Sequence, residues 1–124
     1  MRANKSKDTS PELELRSMLR SANLIGYRVH NKKLPGKPDV CFVGKKVAVF
    51  MNGCFWHRCP ICKPAMPKSN LEFWESKFNR NVERDRENRM DLAAMGFTVL
   101  TFWECQVKRN EYSIISAVRD AIGR

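Results

Sequence analysis

The sequence predicts an α/β domain, a mixed sheet flanked by helices. Three observations point there. Runs of β-branched and aromatic residues alternate with stretches whose apolar residues recur at three- and four-residue steps, in the coarse order α, β, β, β, α, β, α. Residues 46–51 (KVAVFM) are apolar enough for a strand covered on both faces. A length of 124 residues, 43% of them hydrophobic, suffices for one core and not for two.

Residues 1–9 are polar, basic and without period, and read as a flexible arm ahead of a single domain over residues 10–124. Ser10-Pro11-Glu12 is a helix start: a hydroxyl cap, a proline whose missing N–H costs nothing in the first turn, and an acid near the positive end of the dipole. Leu15, Met18, Leu19 and Ala22 follow as a buried stripe. Glu12 lies at the edge of that face, where spacing favours a surface partner of the dipole over a site role. Residues 23–26 end the helix, and Tyr27-Arg28-Val29-His30 alternates like a strand. Leu34-Pro35-Gly36-Lys37-Pro38 is a turn-rich loop leading into Asp39 and a short strand over 40–43. Gly44-Lys45 turns the chain into the strand over 46–51, completing a hairpin.

Between Asn52 and Lys68 regular structure is not expected, because Gly53, Pro60, Pro64 and Pro67 interrupt any ladder or helix. A loop that long needs a constraint, and a metal ion supplies one. Ser69-Asn70-Leu71-Glu72 has the pattern of a capping box and opens a helix that runs to about Met95 and stops at Gly96. Trp74, Phe78, Val82, Asp85, Arg89 and Leu92 form its inward stripe, where a carboxylate such as Asp85 must be paired, hydrogen-bonded or metal-associated. Arg80, Glu83, Arg84, Glu87 and Asn88 read as the solvated face. Residues 97–103 (FTVLTFW) make a further strand, and Ile114, Ile115, Val118 and Ile122 mark a closing amphipathic helix.

Charge narrows the partners. Lys and Arg number 23 against 13 Asp and Glu, giving a net charge of +10, which repels itself unless a polyanion neutralises it. Nucleic acid fits; a membrane does not, since no apolar run approaches the roughly twenty residues of a spanning helix. The opening MRANKSKDTS lacks the apolar core of a signal peptide, so a reducing cytoplasm is expected, where cysteines mean metal or reactivity more often than disulfides. Cys59 and Cys62 form a C-x-x-C knuckle, Cys54 stands five residues upstream and Cys105 follows a strand. That set matches the four ligands of a structural zinc. The rival, a redox pair, needs the motif at a helix start, which the prolines oppose. Cys41, inside a strand, is a core residue.

From the residues alone, Asp39 after Pro38 is a turn residue or a metal carboxylate. His57 is a competing zinc ligand, a hydrogen-bond donor beside the zinc loop or a proton-transfer group. Trp74 defaults to core, whereas Phe55-Trp56 in a Gly- and Pro-rich loop of a basic protein suits insertion between bases.

Four blocks together carry a family resemblance: LPGKPD, the strand ending VFMNGCFWH, the helix FWESKFNRNVERD, and the strand ending Trp103-Glu104-Cys105. In this order, over residues 9–107, they resemble the Vsr-type very short patch repair endonucleases. The resemblance implies a restriction-endonuclease-like PD-(D/E)XK fold with an αβββαβ core and a structural zinc site. It also implies Mg²⁺-dependent nicking of double-stranded DNA beside a T:G mismatch left by deamination of 5-methylcytosine. Carried onto this chain, it makes Asp39 the carboxylate ligand of the catalytic Mg²⁺ and Met51 the donor of a main-chain carbonyl to the same ion. His57 acts on or holds the attacking water, while Glu12 and Asp85 bind metal-bound waters or orient the histidine. Cys54 and Cys105 match zinc ligands, and Phe55, Trp56 and Trp74 match aromatic residues that wedge into the DNA stack.

This chain departs from the family pattern in several places. Met51-Asn52 stands where well-known members have Thr-His, and Cys59, completed by Cys62, stands where their zinc shell has a histidine. The chain is also short before the first helix, and the second acid and lysine usual in the wider fold are missing from the Val49–Met51 position. The implied setting is the cytoplasm of a bacterium or phage host, associated with the nucleoid, with a monomer acting on DNA alongside mismatch-repair proteins. Two alternatives stand beside it: a nicking nuclease of a restriction or defence system without a mismatch requirement, and a zinc-stabilised DNA-binding module without catalysis.

Overall fold

In the computed structural model, which describes residues 10–123, four strands lie in the order β1-β2-β3-β4. The arm expected over residues 1–9 lies outside the described residues. Helix α1 (Ser10–Ser21) precedes β1 (Arg28–Val29), β2 (Val40–Phe42) and β3 (Val47–Asn52). A one-turn helix α2 (Cys54–His57), the long α3 (Leu71–Ala94), β4 (Thr98–Trp103), α4 (Glu104–Arg109) and α5 (Glu111–Ile122) complete the chain.

β2 and β3 form the expected antiparallel hairpin, with Val40 opposite Val49 and Phe42 opposite Val47, joined by a tight 3-10 turn over Val43–Lys45. β3 then pairs with β4 in parallel, from Val47 opposite Thr98 to Asn52 opposite Trp103. Parallel neighbours need a crossover, and α3 supplies it, about 36 Å of helix at 1.5 Å per residue. The pleat of β3 sends Val47, Val49 and Met51 into the main core, where Leu15, Leu19, Ile114 and Val118 of α1 and α5 cover them completely. Truncating one of these leucines or isoleucines to alanine would cost about 2–5 kcal/mol. Helix α3 packs on β4 and on α2, with Leu92 buried and Phe78 buried against Phe55 and Arg58. β3 is therefore central and covered twice, as its apolar run requires.

Several local expectations are corrected. β1 keeps only two residues, because His30 takes a left-handed conformation (φ 49) and bends away from the ladder. The segment after Asn52 is not wholly irregular, since α2 makes one turn before Arg58, also left-handed (φ 53), ends it. The capping box at 69–72 does not form: Asn70 holds the N-cap position at φ 55, and no side chain caps the helix. The stripe of α3 is apolar only toward its ends. Val82 is 43% exposed, and on that stretch the cleft is bordered by Asn81, Arg84, Asp85 and Asn88; Arg84 is exposed, as expected of the solvated face, while Asn88 is half-buried. Helix α4 had no periodic signal, being only six residues long; the side chain of Gln106 accepts from the Trp103 N–H at 2.8 Å to start it.

Candidate active site and cysteine cluster

Both groups of chemically capable side chains sit around the C-terminal end of β3. Asp39 enters β2 beside that end, and its Oδ2 accepts from the Met51 N–H at 2.7 Å. The first turns of α1 bring Glu12 and Arg16 to the same place, and the bend after β1 adds His30. Glu12 is only 6% exposed and lines the cleft, so it is not the surface dipole partner that spacing favours. One ligand atom each from Glu12, His30 and Asp39 lie within 4.8 Å of one another. The loop carrying Asp39 is fixed by close approach to α3. Gly36 has φ 76, and a Cβ there would come within 2.9 Å of the Asn88 side chain, so this position needs glycine on both counts.

Burial pushes the Asp39 carboxyl from its usual 3.8 up to about 7; the Met51 N–H opposes this, the Glu12 carboxylate adds to it, and the charges of His57 and Arg16 oppose it. Two carboxylates sharing a poorly hydrated spot call for a cation between them. The residues therefore fit a divalent metal.

Across the cleft, α2 and α3 assemble a second pair. The His57 Nδ1 and the Asp85 Oδ2 are 2.5 Å apart, and the Asn81 side chain donates to the Trp56 carbonyl at 3.1 Å, tying α2 to α3. A carboxylate at Nδ1 holds the imidazole proton there when the ring is neutral and leaves Nε2 as the basic atom. Glu12, His30, Asp39, Met51, His57 and Asp85 all line one open cleft of about 1210 Å³, whose walls also carry Lys32, Lys37, Lys77, Arg84 and Arg89. An acidic floor with cationic walls suits a phosphate backbone presented to a metal.

On the other side of α2 lie the cysteines. Because Asn52 stands opposite Trp103, the next residues but one on each strand, Cys54 and Cys105, are neighbours. The knuckle folds back onto them, with the Cys59 N–H donating to the Cys54 carbonyl at 3.0 Å. The four sulfurs of Cys54, Cys59, Cys62 and Cys105 lie within 4.8 Å of one another, and Cys59 and Cys105 are 3.8 Å apart. Sulfurs around a tetrahedral zinc with bonds of about 2.3 Å are separated by about 3.8 Å, so the cluster fits that ion. Burial resists ionisation of Cys59, yet the amides of Cys62 and Ile61 and the adjoining thiols hold it below the ordinary thiol range. Burial pushes Cys54 up to about 12. Four thiolates cannot coexist here without a cation to bind them. None of the cysteines is in a disulfide, and His57 turns away to Asp85.

The three aromatic residues singled out by the sequence form one cluster with Phe78. Phe55 packs edge-on against Trp56 and Trp74, with ring centres 5.1 and 5.9 Å apart, and Trp74 stacks on Phe78 at 5.5 Å. Trp74 is half-buried and not a core residue, and Trp56 lines the cleft with Lys77 beside its ring. Two residues here were not anticipated. His30 was read only as a strand residue, although it is one of two histidines in the chain. Phe73, 59% exposed against Trp74, extends the aromatic surface outward.

Comparison with known proteins agrees with this geometry. The family model for the DNA mismatch endonuclease Vsr matches residues 1–63. A type II nicking enzyme, V.XorIIP of Xanthomonas oryzae pv. oryzae, is 40% identical over 109 residues, spanning 86% of this chain and 78% of that protein. The type II nicking enzyme V.NmeAIP of Neisseria meningitidis serogroup A is 36% identical over 123 residues, covering 94% and 87%. The DNA mismatch endonuclease Vsr of Escherichia coli K12 is 39% identical over 113 residues, covering 90% and 70%. A cleft with facing acidic and histidine-carboxylate groups, a cysteine cluster beside it and these relatives place the chain: it belongs to the Vsr family of DNA mismatch endonucleases and is a DNA-nicking endonuclease.

Proposed function

We propose that this endonuclease nicks one strand of duplex DNA beside a T:G mismatch and uses Mg²⁺ to do so. The observation that carries this reading is the convergence of Asp39 and Glu12 with the His57–Asp85 pair on one cation-walled cleft. Asp39 and the main-chain carbonyl of Met51 would hold the ion, which retains most of its waters. Bound there, Mg²⁺ stabilises charge on the phosphoryl oxygens and acidifies water. Glu12 orients water on the α1 side. His57 removes the proton of the attacking water at Nε2, and Asp85 keeps the ring aligned and stabilises it once protonated. Attack on phosphorus breaks the bond to the 3′ oxygen, which takes a proton from a water in the open cleft, leaving 5′-phosphate and 3′-hydroxyl ends.

The walls neutralise backbone phosphates, while Phe55, Trp56 and Trp74 wedge into the stack at the mismatch, where unstacking costs least. Cys54, Cys59, Cys62 and Cys105 hold Zn²⁺ as a brace and take no part in the chemistry. One cleft cuts one strand, so a monomer over residues 10–124 suffices. The protein would work on the nucleoid in the cytoplasm, with mismatch-repair proteins acting on its product.

A second reading drops the mismatch requirement. It draws on relatives named type II nicking enzymes and on Met51-Asn52 replacing the Thr-His of well-known members. Nicking of matched duplexes against duplexes with each mismatch, with Mg²⁺ or with chelator, separates the two. Cleavage confined to T:G supports the first reading; equal cleavage of matched DNA supports the second. Unchanged cleavage in chelator overturns both.

A further inference from the structure

A second imidazole stands beside Glu12 and Asp39 and has no part in the roles above. His30 lines the cleft at the bend after β1, with its Nε2 3.4 Å from Oε1 of Glu12 and 3.5 Å from a guanidinium nitrogen of Arg16. These neighbours make opposite demands on one atom. A guanidinium only donates, so it asks Nε2 for a lone pair; a carboxylate only accepts, so it asks for positive charge at the same place. The lone-pair form is also the one that binds metals. At 3.5 Å the arginine contact is at the long limit of a hydrogen bond, a weak hold for a divalent ion to displace.

The spacing fits a shared ion. Ligands about 2.1–2.2 Å from an octahedral cation stand ~3.0 Å apart when adjacent and ~4.3 Å apart when opposite. The Nε2 to Oε1 separation of 3.4 Å lies a few tenths of an ångström from the adjacent value, and all three side chains bring a ligand atom within 4.8 Å of the others.

We infer that His30 is a direct ligand of the cleft cation beside Asp39, with the Glu12 carboxylate reaching the ion directly or through the water it orients, so that the nitrogen donor makes a site able to use Mg²⁺ bind Mn²⁺ more tightly. This rests on the reading of Asp39 as a metal ligand. Carboxylates suit both ions, but an imidazole donor moves preference toward the transition metal. Arg16 then acts as the positive group that yields its place at His30 when the ion enters.

The test uses zinc-replete, tag-free protein, because the chain has only two histidines and an imidazole signal can arise from no other residue. Pulsed electron paramagnetic resonance of the Mn²⁺-loaded protein should show ¹⁴N modulation from a coordinated imidazole, retained in His57→Gln and lost in His30→Gln. Calorimetry should show His30→Gln weakening Mn²⁺ by about tenfold or more and Mg²⁺ by less. Zinc content and circular dichroism of each variant verify its fold, and the His57→Gln spectrum decides the matter even without the other variant. Modulation surviving in His30→Gln, or equal weakening of both ions, overturns the assignment and leaves His30 as a residue that merely orients Glu12. Asp39→Asn tests the underlying reading separately. Should Asp39→Asn bind Mn²⁺ as tightly as the parent, the metal site itself is misplaced; should it lose Mn²⁺ while His30→Gln keeps both affinity and modulation, only the role of His30 falls.

Discussion

Two regions suited to metal sit at the same end of β3 and share the short segment from Met51 to His57, yet they are built on opposite terms. The cysteine cluster offers four sulfurs at the spacing of a tetrahedral shell, leaving no position for a further ligand. On its α1 side the cleft brings two carboxylates and an imidazole together beside a strand end, around a large open space. One is closed and soft; the other is open and hard, as a site must be to admit water and phosphate. Their dependence runs one way. Cys54 begins the turn of helix that carries His57, and Cys59 hydrogen-bonds back to Cys54, so losing the sulfur site should displace the His57 side of the cleft. Losing the cleft ion should leave the cluster standing.

The largest effect expected from that asymmetry comes from replacing Cys59 and Cys62 together by serine. Structural zinc binding is worth about 10–16 kcal/mol in small zinc domains, comparable to or larger than the ~5–15 kcal/mol stability of an ordinary domain. Elemental analysis should find one zinc per parent chain and none in the double variant, and the variant should lose its cooperative thermal transition and its nicking together. A zinc-free variant that still melts cooperatively and nicks would reverse the order of dependence.

Asp39→Asn is the converse experiment. Metal stabilisation of a phosphoryl transition state is worth several kcal/mol, so single-turnover nicking should fall roughly a thousandfold or more. The melting temperature should hold or rise, because the amide removes a carboxylate that burial and Glu12 both destabilise. Zinc content should be unchanged. A loss of stability as complete as the loss of activity would mean that Asp39 braces the fold rather than serving chemistry.

The same contrast explains what could be read before the structure was known. The cysteine cluster is legible because two of its members are a local motif and the other two follow strand ends that a hairpin and a crossover bring together. Asp39 and His57 were legible through the resemblance of LPGKPD and GCFWH, not through spacing. Glu12 and His30 show the limit. Their meeting depends on how α1 lies against the bend after β1, and periodicity gave the one a dipole partner's place and the other a strand residue's. The middle of α3 was misjudged for a related reason. A stripe says which side of a helix faces inward but not that an open cleft borders it, so it predicts burial for Val82, which is 43% exposed, and does not predict that Arg84 and Asn88 line a cleft. The capping box failed because Asn70 adopts a left-handed backbone that its sequence pattern does not require.

The smallest effect concerns protons, and it separates the two regions without any mutation. In the metal-free cleft the Asp39 carboxyl sits at about 7 instead of 3.8, raised first by burial and then by Glu12 against the pull of the Met51 amide, His57 and Arg16. Between these values the folded chain keeps a proton that the unfolded chain has released. Its contribution to stability is therefore present at low pH, declines as pH rises through that interval, and is gone above about 7. A divalent ion needs the carboxylate, so its entry expels that proton: apparent affinity should climb by up to about tenfold per pH unit below 7 and level off above it. The rise in melting temperature on adding Mg²⁺ to zinc-replete protein should accordingly grow from about pH 6 to about pH 8, while zinc content stays constant because its four sulfurs are already bound. An Mg²⁺-induced rise that is the same at every pH would mean that the ion does not engage Asp39, and the open site would then lie elsewhere in the cleft.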